Sequence, residues 1–318
     1  MCQNPLVYCK KTKWIQNASY AKIFICTLSI LPKENAMLKI KYLPLITFPT
    51  VLIGAIIMQL NDIPKSIWLQ NIIVTILFTL LSFIMFKKKK INSNTKTKLY
   101  LPIATIVLLL SLTFFDSGIE SVHRWITLGP IIINISSVFL PLLLILLGTL
   151  LLQNQWWFSY IIVLTTSLLL VSQKDASAVT AFVISTLVLL MCNINRHIIR
   201  FVMLLIPLTF VFISWVFIDD LAPVPYVEDI LFMAKDLGII WFIISLISLL
   251  ILVIPFIFSP PKKRKITSIS LGIYFFTLLV TTFFGNFPVI LMGYGISPII
   301  GYFISINWLL RSKQGDVN

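Results

Sequence analysis

Apolar runs and short polar breaks alternate along most of this chain. About ten runs recur, at 43–60, 67–86, 99–115, 130–152, 156–171, 176–192, 198–218, 238–258, 266–284 and 287–310. Most approach the roughly 20 apolar residues that an α-helix needs to cross a bilayer. Backbone groups in lipid must be satisfied within the segment, so each run predicts a helix. The pattern predicts an all-α, polytopic membrane protein. The fifth and sixth runs are short, and their shared turn is expected near or within the membrane.

The breaks between runs sort by charge. Lys and Arg gather in the N-terminal segment, in 87–98, 193–197 and 260–265, and at the C-terminus. The other breaks hold Asp62, Asp116, Glu120, Asp175, Asp219, Asp220, Glu228, Asp229 and Asp236, with only Lys65, Arg124, Lys174 and Lys235 as cations. Cytoplasmic loops retain Lys and Arg. The alternation therefore predicts an even number of spans with both termini cytoplasmic, and it directs the search for chemistry to the acidic face. Residues 1–36 differ from the rest. Their one apolar stretch, 21–31, is too short to span and begins with an interrupting Lys22. They read as a basic extension outside the fold, with the membrane domain at 37–318, and Met37 is a credible alternative start.

Composition narrows the class. Hydrophobic residues make up 58% and charged residues 11%, with a mean hydropathy of +1.00; a soluble domain would carry roughly 25% charged residues. The net charge of +14 would otherwise suggest nucleic acid. Here the cations flank spans, so membrane orientation accounts for them and no nucleic-acid partner is expected. Cys2, Cys9, Cys26 and Cys192 form no metal-ligand spacing, and His123 and His197 are isolated, so no metal site is expected. Phosphate-cradling Gly-rich loops are absent from the sequence, which argues against a nucleotide-driven machine.

Four patches on the acidic face carry candidate chemistry. Arg124-Trp125 precedes Asn134-Ile135-Ser136-Ser137 at the head of the fourth run. An Arg beside a Trp at this depth either binds a phosphate through its planar fork or anchors the interface. Gln173 and Asp175 lie between the fifth and sixth runs, where Asp175 is placed to N-cap the sixth helix. The longest acidic break, 219–237, is stiffened by Pro223 and Pro225 and carries Glu228-Asp229 before an amphipathic segment. A carboxylate there can serve as general base toward a sugar hydroxyl, or remain a solvated charge. Finally, Tyr294 and Ser297 lie among Gly293, Gly295 and Pro298, which predict a kinked or broken helix, or close helix packing.

The order of these patches resembles the shape, elongation, division and sporulation (SEDS) family of RodA- and FtsW-like peptidoglycan glycosyltransferases. Arg124-Trp125-Ile126-Thr127-Leu128-Gly129 matches that family's Arg-Trp-Ile-x-Leu-Gly segment. Residues 134–137 stand at its Gln-Pro-Ser-Glu motif and 173–178 at its Gln-Pro-Asp-Leu-Gly-Thr segment. Pro225 to Gly238 stand at its long loop, and 293–298 at its closing Ser-Tyr-Gly-Gly-Ser-Ser. The resemblance covers roughly 43–311. It implies a ten-span fold in a bacterial cytoplasmic (inner) membrane. It also implies polymerisation of lipid II, an undecaprenyl-diphosphate-linked glycan, for cell shape or division, and a class B penicillin-binding protein as partner. No cofactor is implied, a divalent cation being the alternative left open. Asp229 would be the catalytic base, with Glu228 the alternative. Arg124, Trp125, Gln173, Asp175, Tyr294 and Ser297 would bind substrate. Two departures stand out: Ser137 and Leu140 replace a family Glu and Lys. They keep open a catalytically degenerate SEDS-like scaffold or regulator of envelope assembly. A lipid-linked-substrate flippase is a further alternative.

Overall fold

The computed structural model describes residues 41–87, 99–116, 118, 122–129, 131–193, 198–219 and 221–317. Residues 1–36, and with them the reading of an N-terminal extension, lie outside the described residues. So do Cys2, Cys9 and Cys26, while Cys192 is a free, exposed thiol.

The apolar runs fold as helices. A 3-10 turn at Leu43–Thr47 leads into α1 (Phe48–Leu60), followed by α2 (Lys65–Lys87) and α3 (Tyr100–Leu112). A two-stranded hairpin, β1 (Trp125–Leu128) and β2 (Ile131–Asn134), precedes α4 (Ile135–Leu152), α5 (Trp156–Ser172) and α6 (Ala176–Cys192). Then come α7 (Ile198–Met203), α8 (Leu205–Val216), the short α9 (Ile230–Leu237), α10 (Ile239–Phe258), α11 (Lys265–Thr281) and α12 (Ile296–Val317). Among the described residues, five helical runs are long and apolar enough to cross a membrane: Leu43–Leu60, Lys65–Phe86, Ile135–Leu152, Ile198–Val216 and Ile239–Phe258. The architecture is all-α and polytopic.

Two departures from the hydropathy reading shape the acidic end. The fourth run does not begin as helix. Ile131–Asn134 pairs antiparallel with Trp125–Leu128, in the register Trp125↔Asn134 to Leu128↔Ile131. Three consecutive β-branched isoleucines favour an extended pleat, and Gly129 supplies the positive φ (+61°) of the turn. Asn134 closes the strand and starts the helix, its side chain accepting from Ser137 N at 2.9 Å. The tenth run is broken more deeply than a kink. From Thr282 to Gly295 the chain is non-helical, and α12 begins only at Ile296. The later part of this hook, which carries Phe287, Val289, Leu291 and Met292, is nonetheless buried. Irregular backbone at such depth is tolerated only where protein satisfies it. Here Val289 N and Tyr294 N donate to Val227 O (3.1 Å) and Tyr226 O (2.9 Å). Asn71 of α2 donates to Gly293 O (2.9 Å) and accepts from Gly295 N (3.3 Å).

Helices α4, α6, α10, α11 and α12 supply much of the core. Its largest buried side chains include Tyr274, Phe275, Tyr302 and Phe256, whose rings meet edge-on or tilted. Small hydroxyls join neighbouring helices: Ser270 to Ser185 O (2.7 Å), Ser177 with Thr281 (2.7 Å) and Thr50 to Ser248 O (2.8 Å). Interhelical bonds of this kind contribute roughly 0.6 kcal/mol each in lipid. By contrast, the run Ile198–Val216 is only 17% buried, and Phe201, Leu205, Phe212 and Val216 point outward. That apolar exposure suits lipid tails and does not suit water.

Candidate functional site

The helices α4, α6 and α11 run from one end of the bundle to the other, and their ends differ in chemistry. At the acidic end, the β1–β2 hairpin, the start of α6 and the loop after α8 converge on Arg124. This guanidinium is 4% exposed. Its Nη2 donates both to the Lys174 carbonyl and to Asp219 Oδ2, a buried ion pair. The Trp125 and Phe287 rings flank it, each with its centroid 5.9 Å from Cζ. Its Nε has no partner among the described residues. Arg124 is thus held within the protein and not presented to solvent. The Asp219 side chain, in a break where a solvated charge was one alternative, is buried against Arg124. It directly follows an apolar run, so it enters at interfacial depth, where a carboxylate is held by pairing.

A cleft opens beside Arg124 and Trp125, lined by Asn134, Ser136, Ser137, Asp175, Ser177 and Tyr274 together with hook residues Pro288 and Ile290. Asp175 sits at its wall, 6% exposed. It caps α6 by accepting from Ala178 N (3.1 Å) and also accepts from Ser136 Oγ (3.1 Å). The N-cap expectation thus describes the backbone role, and the second oxygen is aimed at the head of α4. Leu140 is fully buried in the core and Ser137 lines the cleft, so the cleft wall lacks the two charges of the family motif.

The loop carboxylates are presented separately. Pro223 and Pro225 begin a tight turn in which Asp229 N donates to Pro225 O (3.1 Å). Glu228 Oε2 accepts from Val224 N (2.7 Å). Burial pushes the Glu228 carboxyl up from its ordinary range. Its backbone hydrogen bonds oppose the rise, the neighbouring Asp229 charge adds to it, and the Arg124 charge again opposes it. Val227, next to Glu228, accepts from Val289 N of the hook, and the hook residues Pro288 and Ile290 on either side line the cleft. Asp229 stands at the N-cap of α9 without capping it. Its half-buried carboxylate makes no hydrogen bond or ion pair among the described residues. The apolar face of α9 — Ile230, Leu231 and Ala234 — is buried while Lys235 and Asp236 face outward, which fixes the direction from which Asp229 is offered.

Three other sequence candidates hold backbone together and do not line the cleft. Gln173 is fully buried, its amide donating to Leu110 O (2.8 Å) and Thr113 Oγ1 (2.9 Å) at the end of α3. Ser297 Oγ accepts from Asn134 N (2.9 Å), tying α12 to the hairpin. Tyr294 donates its hydroxyl to Gln70 Oε1 (3.0 Å) and meets Tyr226 edge-on. Sequence reasoning passed over Asn71, which is 3% exposed and clamps the hook that carries Tyr294. The available signal was an Asn inside an apolar run, since polar residues at membrane depth face a protein interior or a cavity. Among the described residues no group of three or more His, Cys, Asp or Glu gathers into a metal cage.

Fold and cleft together define a polytopic membrane protein whose polar chemistry is concentrated at one end of the helix bundle, under a re-entrant hook. The fold is similar to solved structures of the rod shape determining protein RodA of Thermus thermophilus. An aspartate-to-alanine variant matches with a TM-score of 0.65 and the parent protein with 0.62. Each match has 16% identity and covers 87% of this chain and 97% of the RodA chain. The chain therefore has the RodA fold. No family model matches the sequence, and no curated protein matches it.

Proposed function

We propose that this chain is a divergent SEDS-type peptidoglycan glycosyltransferase that polymerises lipid II at the bacterial cytoplasmic membrane. Its role would be in cell-wall synthesis for shape or division, beside a class B penicillin-binding protein. The observation that carries this reading is the buried Arg124 beside a polar cleft at the acidic end of a RodA-like bundle, with the Glu228–Asp229 loop bonded through Val227 to the hook that lines it.

The chemistry follows from what each group can do. The Asp229 carboxylate, which has no hydrogen-bond or ion-pair partner among the described residues, takes the proton from the acceptor sugar hydroxyl. That oxygen forms the new bond to the donor anomeric carbon, and the bond from that carbon to the lipid diphosphate breaks. Negative charge develops on the departing diphosphate, and a preorganised cation stabilises such charge most where water is excluded. Arg124 is that cation, buried between two aromatic rings. It must turn part of its fork from Asp219 to the diphosphate.

The test is polymerisation of labelled lipid II by the purified full chain with its partner. Removing a general base typically lowers the rate 10²–10⁴-fold. Asp229→Asn is expected to fall in that range while melting temperature and lipid retention stay at the parent level. Parent-level polymerisation by Asp229→Asn would remove the assignment.

A second reading is a catalytically degenerate SEDS-like scaffold. It is favoured by one observation: Ser137 and the buried Leu140 leave the cleft wall without the charge pair of the family motif. A folded, partner-bound chain with no polymerisation at all would favour it.

A further inference from the structure

The far end of α4, α6 and α11 encloses a second cavity, of about 110 Å³. A single water needs roughly 10–15 Å³ on this measure, so a tetrahedral anion fits. The lining includes Lys262, Lys263, Arg264, Thr267, Asn193 and Gly148, and no carboxylate. Asp316 lies close by, its Oδ2 accepting from Lys262 N at 2.5 Å.

Two further observations separate this cavity from an ordinary basic loop. It sits at the N-terminus of α11, a 17-residue helix whose N-cap, Arg264, gives no side-chain cap and whose first turn holds no acid. The first backbone N–H groups of such a helix are left without intrahelical partners and attract anions. Thr267, in that first turn, is only 4% exposed, yet its hydroxyl makes no hydrogen bond among the described residues. Gly148 has no side chain to cover that hydroxyl: a Cβ there would lie 2.2 Å from Thr267 Oγ1. Positive-inside charge bias requires Lys and Arg near span ends. It requires neither a cavity nor a threonine hydroxyl without a hydrogen-bond partner on a mostly buried residue lining one.

We propose that this cavity is a binding site for a phosphate group, held by Arg264, Lys263, the Thr267 hydroxyl and the α11 N-terminus. The bundle places it at the opposite end from the Arg124 cleft, so it is independent of the polymerase reading. The phosphate is carried either by an anionic phospholipid headgroup or by a soluble ion.

Two arms distinguish the sources. The full chain in detergent is examined by native mass spectrometry for retention of phosphatidylglycerol against phosphatidylcholine, and inorganic phosphate is titrated in a thermal-shift assay. The parent is expected to retain phosphatidylglycerol about tenfold over phosphatidylcholine, or to be stabilised by phosphate. Thr267→Val and Arg264→Gln should each weaken whichever effect is seen by about tenfold, the scale of one hydrogen bond to a charged group. Thr267→Ser should keep it. If Arg264→Gln fails to fold, the Thr267→Ser and Thr267→Val pair decides alone. Absence of both effects in the parent, or equal binding by Thr267→Val and the parent, overturns the proposal.

Discussion

Arg124 was legible in the sequence because it is a lone arginine beside a tryptophan on an acidic face. Its partner was not legible, because nothing local distinguishes Asp219 from a solvated neighbour. The distinction comes from a fold that brings residues 124, 174 and 219 together. Breaking a buried pair by removing one member leaves a charge without compensation, at about 3–5 kcal/mol. Asp219→Asn is thus expected to lower the melting temperature far more than Asp236→Asn, whose parent side chain is exposed. Equal melting temperatures would mean that the pair does not form. Glu228 offers a pH test. Its folded-state carboxyl is raised above its unfolded value by burial. Its contribution is therefore fully present below the unfolded value and is lost as pH rises through the folded one. From about pH 4.5 upward, the parent should lose stability relative to Glu228→Gln, read as the difference between their melting curves. A pH-independent difference would show that the group is not buried as described.

Among the elements, the helices follow from hydropathy with little ambiguity, since length and apolarity alone require internally bonded backbone. The hairpin and the hook could not be read the same way. Ile131–Ile133 is as apolar as the helix it precedes, so a hydropathy window merges strand and helix. The segment ahead of Ile296 is held by bonds to loop 226–227 and to Asn71, contacts remote in sequence. The glycines near it gave a partial signal. A Cβ on Gly54 would lie 2.4 Å from Met292 O, and one on Gly293 would lie 2.3 Å from Val227 O. The tightest approach joins α12 to α4, where a Cβ on Gly301 would lie 2.0 Å from Ser137 O. Backbone cannot yield as a flexible side chain does. Gly301→Ala is therefore expected to destabilise by at least the 1–3 kcal/mol typical of overpacking, about, and to lower the melting temperature. In contrast, Gly238→Ala, with nothing within 4 Å, should show only the strain of its positive φ. Tolerance of Gly301→Ala at the parent melting temperature would refute this close approach.

Across the whole molecule, charge segregation in the sequence becomes segregation in space. Arg124, Asp175 and Asp219 gather at one end of α4 and α6, and Lys262 to Lys265 at the other. If the positive-inside reading is correct, these ends face opposite compartments. In a cysteine-free background, Ala222→Cys in the exposed acidic loop and Lys263→Cys at the basic end should differ toward an impermeant thiol reagent. Only Ala222→Cys is expected to label in intact cells, and labelling of both would overturn the orientation.

The helices α5, α6 and α11 have 17 residues each. At 1.5 Å per residue each measures about 26 Å, while a typical hydrocarbon core is about 30 Å thick. Helices α6 and α11 are mostly buried among their neighbours, so their short length acts on the interior of the bundle. Inside the bundle the polar cleft and the basic end are therefore separated by about 26 Å of helix, less than the thickness of a typical hydrocarbon core.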